Sequence, residues 1–446
     1  MKPKIQARPW LRRANVAASM SAAVATAMAV CSMAAQAQTT TATAAPASAG
    51  VAGDAASPLG LRRIFDAAWA RQPEALALHA RRDAARAQLK TANAWTPEPA
   101  ALELSSKTDR LHRNQGAREY EVGIAVPLWL PGERGRRAAL AGAEGAAIES
   151  QATAAQLRVA ATVREAWWQW QRARIEVDTV RDLLDNTRRI AADVARRAKA
   201  GDLARADQHQ ADGAVAGAEA SMAQADAGLS AARQRLRALA GAAPAFDEAG
   251  AATAEPEPEP DHGPAWVEVE AHAALHELKD RAAVAERTAA LVANQTRANP
   301  ELMLAATRDR GAFGEIAQPT ITLGIRVPFG GSPRHEARSA NARAEATDAQ
   351  AQLALERDRL IAQRETARAR VDASRTQLAA AERRAQLARE SRGFFDKSFR
   401  LGETDLPTRL RIEAEAAEAE RQTARTRIEL AAAISALRQA LGLLPQ

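Results

Sequence analysis

The sequence is poor in cysteine and in aromatic residues. Its 446 residues include one Cys and one Tyr, and only 4% are aromatic. A single cysteine excludes a disulfide-stapled scaffold, and 24 Gly with 20 Pro are too few for a collagen-like chain. Ala and Arg dominate instead, and a hydrophobic share of 47% excludes a wholly disordered chain. This composition favours helices that pack closely through small side chains.

Motifs of catalysis and cofactor binding are also missing. The chain contains no Walker loop, dinucleotide fingerprint, Gly-x-Ser-x-Gly elbow or His-Glu-x-x-His pair. His272 and His276 have the spacing of two ligands on one helical face, but no third ligand lies at a fitting distance in the sequence. We therefore expect a protein that is not an enzyme and that holds no cofactor and no metal.

The first 37 residues have the pattern of a secretory signal peptide. A basic start is followed by an Ala-rich stretch and by Ala35-Gln36-Ala37, a sequence that signal peptidase accepts. We expect cleavage after Ala37 and a flexible leader over residues 38–57, which are rich in Thr, Ala, Ser and Pro. An uncleaved membrane helix and lipidation of Cys31 are the alternatives.

Removal of the signal changes what the net charge implies. The formal charge of +7 includes five basic residues of this segment, which has no acidic residue. The mature chain is then close to neutral, so the high pI gives no reason to expect nucleic acid as a partner. Past the signal no run of 18 apolar residues occurs, and no membrane-spanning helix is expected there.

The chain is a tandem repeat. Four landmarks recur at one separation of 201 residues: Pro99 and Pro300, Pro127 and Pro328, Gly201 and Gly402, Gly241 and Gly442. So long a period indicates two copies of one structural unit rather than a solenoid. We predict a first unit over residues 58–241, a stiff Pro- and Glu-rich surface linker over 242–264, and a second unit over 265–446.

Each unit contains one predicted β-hairpin, at about residues 99–129 and 300–330. The second strand of each alternates apolar with small or polar residues, and its length of about ten residues suits a transmembrane strand. A soluble protein would bury such a face against a helix, which is the alternative. In a chain with a secretory signal, we expect the apolar face to meet lipid. Its predicted lipid-facing residues are Tyr120, Val122, Ile124, Val126, Ile321, Leu323, Ile325 and Val327.

Four strands are too few to enclose a pore. The smallest membrane barrels have about eight strands, and unpaired strand edges are costly in lipid. The chain is therefore expected to oligomerise, and two, three or four copies would supply 8, 12 or 16 strands. The residues do not choose among these numbers.

Long helical patterns fill the rest of each unit. One runs from after Gly132 to Lys199 and its copy from Pro333 to Arg400, each roughly 100 Å long at 1.5 Å per residue. Apolar residues recur by fours and threes along the first, as in a coiled-coil seam with one stutter. Gly201 and Gly402 mark reversals into return helices, predicted at about 203–240 and 405–441. Further helices are predicted before the strands, at about 59–95 and 265–298.

In this order, the features resemble the TolC-type outer-membrane efflux channels, and the CzcC-like branch most of all. The motifs on which this resemblance rests are the Pro-bounded hairpins, the Leu-Trp-Leu-Pro-Gly run that ends at Gly132, the two Gly reversals, and the Leu-Arg endings at Gly241 and Gly442. The resemblance covers residues 59 to 444. It implies a mainly α fold with a small β part, in which a homotrimer completes a 12-stranded transmembrane β-barrel and a long coiled-coil helical barrel. It also implies a periplasmic adaptor and an inner-membrane pump, of the RND type, as partners.

The resemblance also suggests where function lies. The helix tips of this family meet the adaptor and close the tunnel. The corresponding residues are Gly201, Leu203, Gly402 and Leu406. Asp207 matches an acidic position of the first repeat, and three copies would form an acidic ring that favours cations. The acidic ring of the second repeat does not transfer, because Thr408 and Arg411 occupy its positions.

These features predict a passive exit duct for solutes, either metal cations or drugs, in the bacterial outer membrane with a periplasmic extension. Two alternatives remain. One is a duct for protein secretion, and the other is a periplasmic coiled-coil scaffold or adaptor without a barrel.

Overall fold

The structure is a computed structural model that describes residues 60–112, 114–241, 256–260, 269–330 and 333–446. The predicted signal peptide and leader lie outside the described residues. Of the predicted linker, only residues 256–260 are described, together with Gly241 just before it.

Two helical hairpins and one sheet make up most of the described chain. Its elements are α1 (Leu61–Ala70), α2 (Pro73–Ala92), β1 (Ala101–Thr108), β2 (Arg118–Pro127), α3 (Glu133–Ala200), α4 (Arg205–Ala240), α5 (Ala273–Asn294), β3 (Glu301–Arg310), β4 (Gln318–Arg326), α6 (Pro333–Arg400) and α7 (Leu406–Ala440). A 3₁₀ turn, Val269–Ala271, precedes α5. The order of strand, strand, long helix and return helix occurs twice, as the repeat predicts.

The two long helices confirm the prediction from periodicity. Helices α3 and α6 have 68 residues each, which corresponds to roughly 100 Å. Helix α3 packs along α4 and α6 packs along α7, while α5 lies against both long helices. Among the described helices, none has an 18-residue stretch apolar enough to span a membrane.

The helices before the strands are shorter than predicted. Instead of one helix over 59–95, the chain forms α1 and α2, separated at Arg71 and Gln72. Pro73 explains the break, because proline has no N–H to donate to the preceding turn and is favoured in the first turn of a new helix. In the second unit, α5 begins only at Ala273, where the Nδ1 of His272 accepts a hydrogen bond from the Ala274 N–H at 3.2 Å.

The four strands form a single antiparallel sheet in the order β1-β2-β3-β4. Both predicted hairpins are confirmed, and they join through β2 and β3, where Gly123 lies opposite Ala305. Strand β4 ends at Arg326, so Val327 lies just beyond the strand in which it was predicted.

The largest apolar core surrounds three tryptophans of α3, namely Trp167, Trp168 and Trp170. Residues from α1, α4 and α7 converge on them, including Phe65, Leu236 and Ile428. The rings of Trp167 and Trp170 are 5.2 Å apart. Since a buried aromatic side chain removes 150–250 Å² from water, this cluster fixes α1 and both return helices to the middle of α3.

A buried carboxylate holds the joint between sheet and helices. Glu133, the first residue of α3, is 1% exposed. Its carboxylate accepts hydrogen bonds from the Leu130 N–H at 3.1 Å, from Gln295 Nε2 at 2.7 Å and from Asn299 Nδ2 at 3.0 Å. A negative charge is also favoured at a helix N-terminus. Glu133 therefore ties the start of α3 to the segment that leads from α5 into β3.

In the described part of the linker, Pro256, Pro258 and Glu259 are exposed as predicted, whereas Glu257 and Pro260 are buried. Glu257 is 5% exposed and lies among the helices. It receives two hydrogen bonds from Arg164 of α3, at 2.7 and 3.0 Å, and also contacts Ser435 and Arg438 of α7. Both arginines are themselves buried. The repeated Pro-Glu pattern predicts a solvated segment. The carboxylate of Glu257 nevertheless neutralises two buried guanidinium groups, and helical periodicity alone does not show that these arginines are buried.

Replacement of Glu257 by Ala is expected to destabilise the protein strongly. The change leaves two guanidinium groups buried beside each other without their carboxylate, at a cost of about 3–5 kcal/mol in the free energy of unfolding. Chemical denaturation of the purified protein measures this cost.

Glu259→Ala is the matched control. Glu259 pairs with Arg375, but both side chains are 45% exposed, so its loss is expected to cost about 1 kcal/mol or less. Equal losses for the two variants would contradict the role assigned to Glu257.

Candidate functional site

The sheet has one strongly apolar face that the described chain leaves uncovered. The register places Leu104 opposite Val122, and Leu304 opposite both Ile124 and Leu323. Ile321, at 79% exposed, is the most open of these side chains within the strands. The exposed apolar residues of this face are Leu102, Leu104, Tyr120, Val122, Ile124, Leu302, Leu304, Ile321, Leu323 and Ile325.

Most of the residues that the sequence predicts to face lipid are exposed on this apolar face. Tyr120, Val122, Ile124, Ile321, Leu323 and Ile325 are exposed on it. Val126 shares the face and is half-buried, while Val327 is 38% exposed just after β4. A continuous apolar surface of this size on a soluble monomer is unusual and marks a site of contact with lipid or protein.

The opposite face of the sheet is polar or small. Lys107 pairs with Glu119 at 2.9 Å, and Arg326 pairs with Glu301 at 3.2 Å. Between them lie Gly123 and small neighbours, and a Cβ on Gly123 would stand 3.3 Å from that of Ala305. This division into one apolar and one polar face matches the wall of a membrane barrel whose lumen is wet.

Aromatic residues flank the end of the sheet that joins the helices. Trp95 is 93% exposed and Phe329 is 92% exposed. Trp129 is half-buried, since its Nε1 donates to the Ala94 carbonyl at 3.2 Å and Arg137 lies 5.6 Å from its ring. Exposed aromatic rings at this level are typical of a membrane–water interface.

The outer edges of the sheet are open. Within the described residues, β1 pairs only with β2, and β4 pairs only with β3. Each edge thus presents a row of backbone N–H and C=O groups without strand partners, which is a template for pairing with another chain.

Two glycine reversals form the tips of the helical hairpins, far along the chain from the sheet. Gly201 has φ of 90° and Gly402 has φ of 81°. The hydrogen bonds are the same at both: each Gly N–H bonds the carbonyl three residues back, and the next N–H bonds the carbonyl five residues back. A Cβ at either glycine would meet nothing within 4 Å. The requirement for Gly is therefore conformational, because other residues rarely adopt positive φ.

The two predicted tip leucines are not equally accessible. Leu406 is 2% exposed and packs with Ile190, Val194 and Phe399. Its side chain therefore supports the tip from inside and is not presented at the surface of this chain. Leu203 is half-buried against the same cluster. Leu401, which the pattern did not single out, is 75% exposed at the second tip.

Asp207 has a local structural role at the first tip. Its Oδ2 accepts a hydrogen bond from the Ala204 N–H at 3.0 Å, at the start of α4. The side chain is half-buried. Capping of this kind satisfies an N–H group at the helix start. This contact gives Asp207 a structural role within a single chain. The predicted acidic ring stays a prediction.

Above the tips, an ionic cluster joins three helices. Arg409 of α7 binds Asp396 of α6 at 2.8 Å and lies 3.9 Å from Asp193 of α3. The guanidinium groups of Arg409 and Arg197 lie 4.6 and 4.9 Å from the ring centroid of Phe399. Both ion pairs and cation–π contacts therefore hold the two hairpins together at this level.

A polar cavity of about 1150 Å³ extends from this cluster between α3, α6 and α7. Further along α7, Arg421 and Arg425 bind Glu176 of α3, at 3.2 and 2.7 Å. In the sequence these arginines belong to a mixed-charge run that is typical of a solvated helix face. Arg411 does pair with Glu415 on that face. Helical spacing alone does not show which arginines of α7 form ion pairs with α3 instead.

The two histidines lie in different environments. His272 is buried at the start of α5, with Nδ1 used as a cap, whereas His276 is exposed. Among the residues that the structure describes, no group of three or more His, Cys, Asp or Glu is arranged to hold a metal ion. Burial lowers the pKa of His272 from its usual value, and the nearby Arg364 acts in the same direction.

The comparisons with known proteins agree with this architecture. Residues 64–242 match the family model described as outer membrane efflux protein. A search of curated proteins gave no significant match.

Solved structures are similar over most of the chain. VceC from Vibrio cholerae, an outer membrane protein, is 18% identical with a TM-score of 0.67, over 86% of this chain and 96% of that one. CusC gives 15% identity and a TM-score of 0.70, over 86% and 92%. The CmeC outer membrane channel of Campylobacter jejuni gives 13% and 0.66, over 86% and 85%. The chain has the TolC-like fold. In that fold the two-faced sheet and the helix tips are the candidate functional surfaces.

We expect Arg409→Ala to loosen the tips selectively. Loss of a charge-assisted hydrogen bond in a partly buried position costs about 1.5–3 kcal/mol. Amide hydrogen exchange near residues 396–410 should then be faster by roughly tenfold to a hundredfold. Arg411→Ala, which breaks an exposed pair two residues away, is the control and should leave these amides nearly unchanged. Identical exchange in the two variants would count against the cluster.

His272 is expected to make stability depend on pH. Its pKa in the folded state is below the ordinary value of 6.5, so the neutral form is favoured in the folded protein. Its contribution is complete above the unfolded pKa and is lost as the pH falls below it, by at most about 1.4 kcal/mol per pH unit.

The substitution His272→Asn tests this dependence, because Asn can cap the helix but does not titrate. Melting temperatures at about pH 7.5 and 5.5 should differ more in the native protein than in the variant. The same decrease in both would show that other groups are responsible.

Proposed function

We propose that this protein is a passive outer-membrane duct through which an efflux system releases solutes. The observation that carries the proposal is the uncovered apolar face of a four-stranded sheet mounted on helices of roughly 100 Å. The match to the outer membrane efflux protein model and the TolC-like fold support it. In this role the sheet lies in the outer membrane, the helices cross the periplasm, and the chain acts as a channel rather than an enzyme.

The open edges of β1 and β4 support a homotrimer. Unpaired backbone groups cost several kcal/mol each in hydrocarbon, so the edges must pair with other copies. Three copies give 12 strands, the number that the family resemblance implies, with the apolar face toward lipid. The face that carries Lys107–Glu119 and Arg326–Glu301 then lines the lumen.

The helix tips are the proposed contact for a periplasmic adaptor. Gly201 and Gly402 are exposed and allow close backbone approach, and Leu401 offers an accessible apolar side chain. Leu203 contributes its exposed part. Leu406 instead supports the tip from inside. We extend the proposal to an inner-membrane pump, of the RND type, that supplies the energy, because the chain has no catalytic motif of its own.

The Arg409 cluster is proposed to hold the tunnel entrance closed. It fastens α7 to α3 and α6 next to the tips, where a change in helix packing would alter the diameter of the entrance. Asp207 is the proposed acidic position of the entrance. Metal cations or drugs as cargo, and a place in the CzcC-like branch, remain predictions from the sequence.

Cysteine substitution on β4 tests the orientation of the sheet. The native chain has a single Cys, at position 31, which falls within the predicted signal. Leu323→Cys lies on the apolar face, and Thr322→Cys, one residue away and also exposed, lies on the polar face. In outer-membrane vesicles the thiol at 323 should react with a charged maleimide roughly tenfold more slowly than the thiol at 322, because thiolate formation is suppressed in lipid. A lipid-soluble maleimide, which concentrates in the bilayer, should narrow this difference, although the thiol at 323 still ionises poorly there.

Planar bilayers provide the functional readout. The purified protein should require detergent and should conduct ions as a trimer. A water-soluble monomer without conductance, with both thiols equally reactive in water, would favour the periplasmic scaffold instead. Conductance with equal reactivity would refute only the assigned orientation.

A further inference from the structure

Three arginines lie at the hairpin-loop end of the apolar face of the sheet. Arg118 on β2 is directly opposite Arg310 on β3, and Arg308 is opposite Tyr120. Side chains two residues apart on a strand share a face, so all three belong to the face that carries Val122 and Ile124. Arg118 and Arg308 are exposed, and Arg310 is half-buried.

These positive charges have no acidic partner in the part of the chain that the structure describes. The sequence neighbours Glu119 and Asp309 alternate to the opposite face, where Glu119 pairs with Lys107. Like charges directly opposite each other on adjacent strands are destabilising. An anion from outside the chain would therefore relieve the repulsion between Arg118 and Arg310 and the nearby Arg308.

The loops hold one of these arginines in place. Arg310 Nε donates to the Gly116 carbonyl at 3.2 Å, and its guanidinium lies 5.8 Å from the Phe313 ring. The Phe313 N–H in turn bonds the Gln115 carbonyl at 2.9 Å. Arg310 is thus fixed between the two hairpin loops, and a positioned guanidinium loses less entropy when it binds an anion.

The position of the arginines relative to the apolar band indicates the kind of anion. The next cross-strand row holds Val122, Ala306 and Ile321, and the row after it holds Leu102, Ile124, Leu304 and Leu323. The arginines therefore mark the end of the apolar surface that is farthest along the strands from the helices. A molecule that meets both the apolar rows and the arginines must have a hydrocarbon part and an anionic head group.

We propose that Arg118, Arg308 and Arg310 bind the phosphate of an anionic lipid of the outer leaflet. This inference rests on the proposed function, since it requires the apolar face to lie in the outer membrane with the loops outside. Guanidinium groups bind phosphate through paired, charge-assisted hydrogen bonds. The bound phosphate neutralises the opposed Arg118 and Arg310. The acyl chains of the lipid cover the two apolar rows that follow along the strands toward the helices.

The test compares a phosphorylated lipid with the same lipid after removal of its phosphates. Fluorescent diphosphoryl lipid A and its dephosphorylated form are titrated into the detergent-solubilised, full-length protein. The native protein should bind the phosphorylated form roughly tenfold more tightly or better. In the double variant Arg118→Gln/Arg308→Gln, this preference should disappear. Arg310 is left in place because it also supports the loops.

Arg383→Gln/Arg384→Gln is the charge-matched control, since both residues are exposed on α6 away from the sheet. It should keep the preference for the phosphorylated form. A third arm adds inorganic phosphate, which should not displace the lipid if the acyl chains contribute to binding.

Three results would overturn the inference: equal binding of the two lipids by the native protein, a preference that survives in the double variant, or displacement by inorganic phosphate at millimolar concentration. Conductance of the same preparations in planar bilayers separates this failure from failure of the proposed function. A conducting channel without a lipid preference would refute only the arginine site.

Discussion

Backbone hydrogen bonding at the outer edges of β1 and β4 is the constraint on which the rest of the structure depends. Each of these strands has a partner on one side only, and one face of the sheet carries a continuous band of exposed apolar side chains. Neither feature is stable alone in water or in lipid, because water does not favour the apolar face and lipid cannot satisfy the edges. In the proposed trimer, closure with further copies of the chain would pair the edges, lipid would cover the apolar face, and the helical hairpins would come together around a common axis.

The helices hold the sheet in a fixed position, and buried charged side chains provide much of that restraint. Glu133 fastens the start of α3 to the segment before β3. Glu257 joins α3 to α7 through Arg164 and Arg438. A buried ion pair of this kind contributes little net stability relative to an apolar core, but it penalises every arrangement in which one partner is displaced. These carboxylates therefore act mainly on the specificity of the packing, while the tryptophan cluster of α3 supplies apolar burial.

Much of this fold could be predicted from the sequence, because it depends on local periodicity. Alternation with a period of two located the strands, and the glycines at 201 and 402 located the helix reversals to within a residue or two. Features that depend on which charge meets which partner could not be predicted. The prolines and glutamates around Glu257 predict a surface position for it, and the spacing along α7 does not show that Arg421 and Arg425 pair with α3. Leu406 shows the same limit, since a leucine after a tight turn can point outward or inward.

The pairing of β2 with β3 has a consequence for the order in which the protein forms. These neighbouring strands are separated along the chain by α3, α4 and α5. Contacts between residues so distant in sequence form late, because the entropy of closing the intervening loop must be overcome first. The first hairpin therefore keeps an unpaired edge and an exposed apolar face until the second hairpin has formed. The time before β3 pairs with β2 is thus the interval during which the unfinished chain is open to unwanted strand pairing, aggregation and proteolysis.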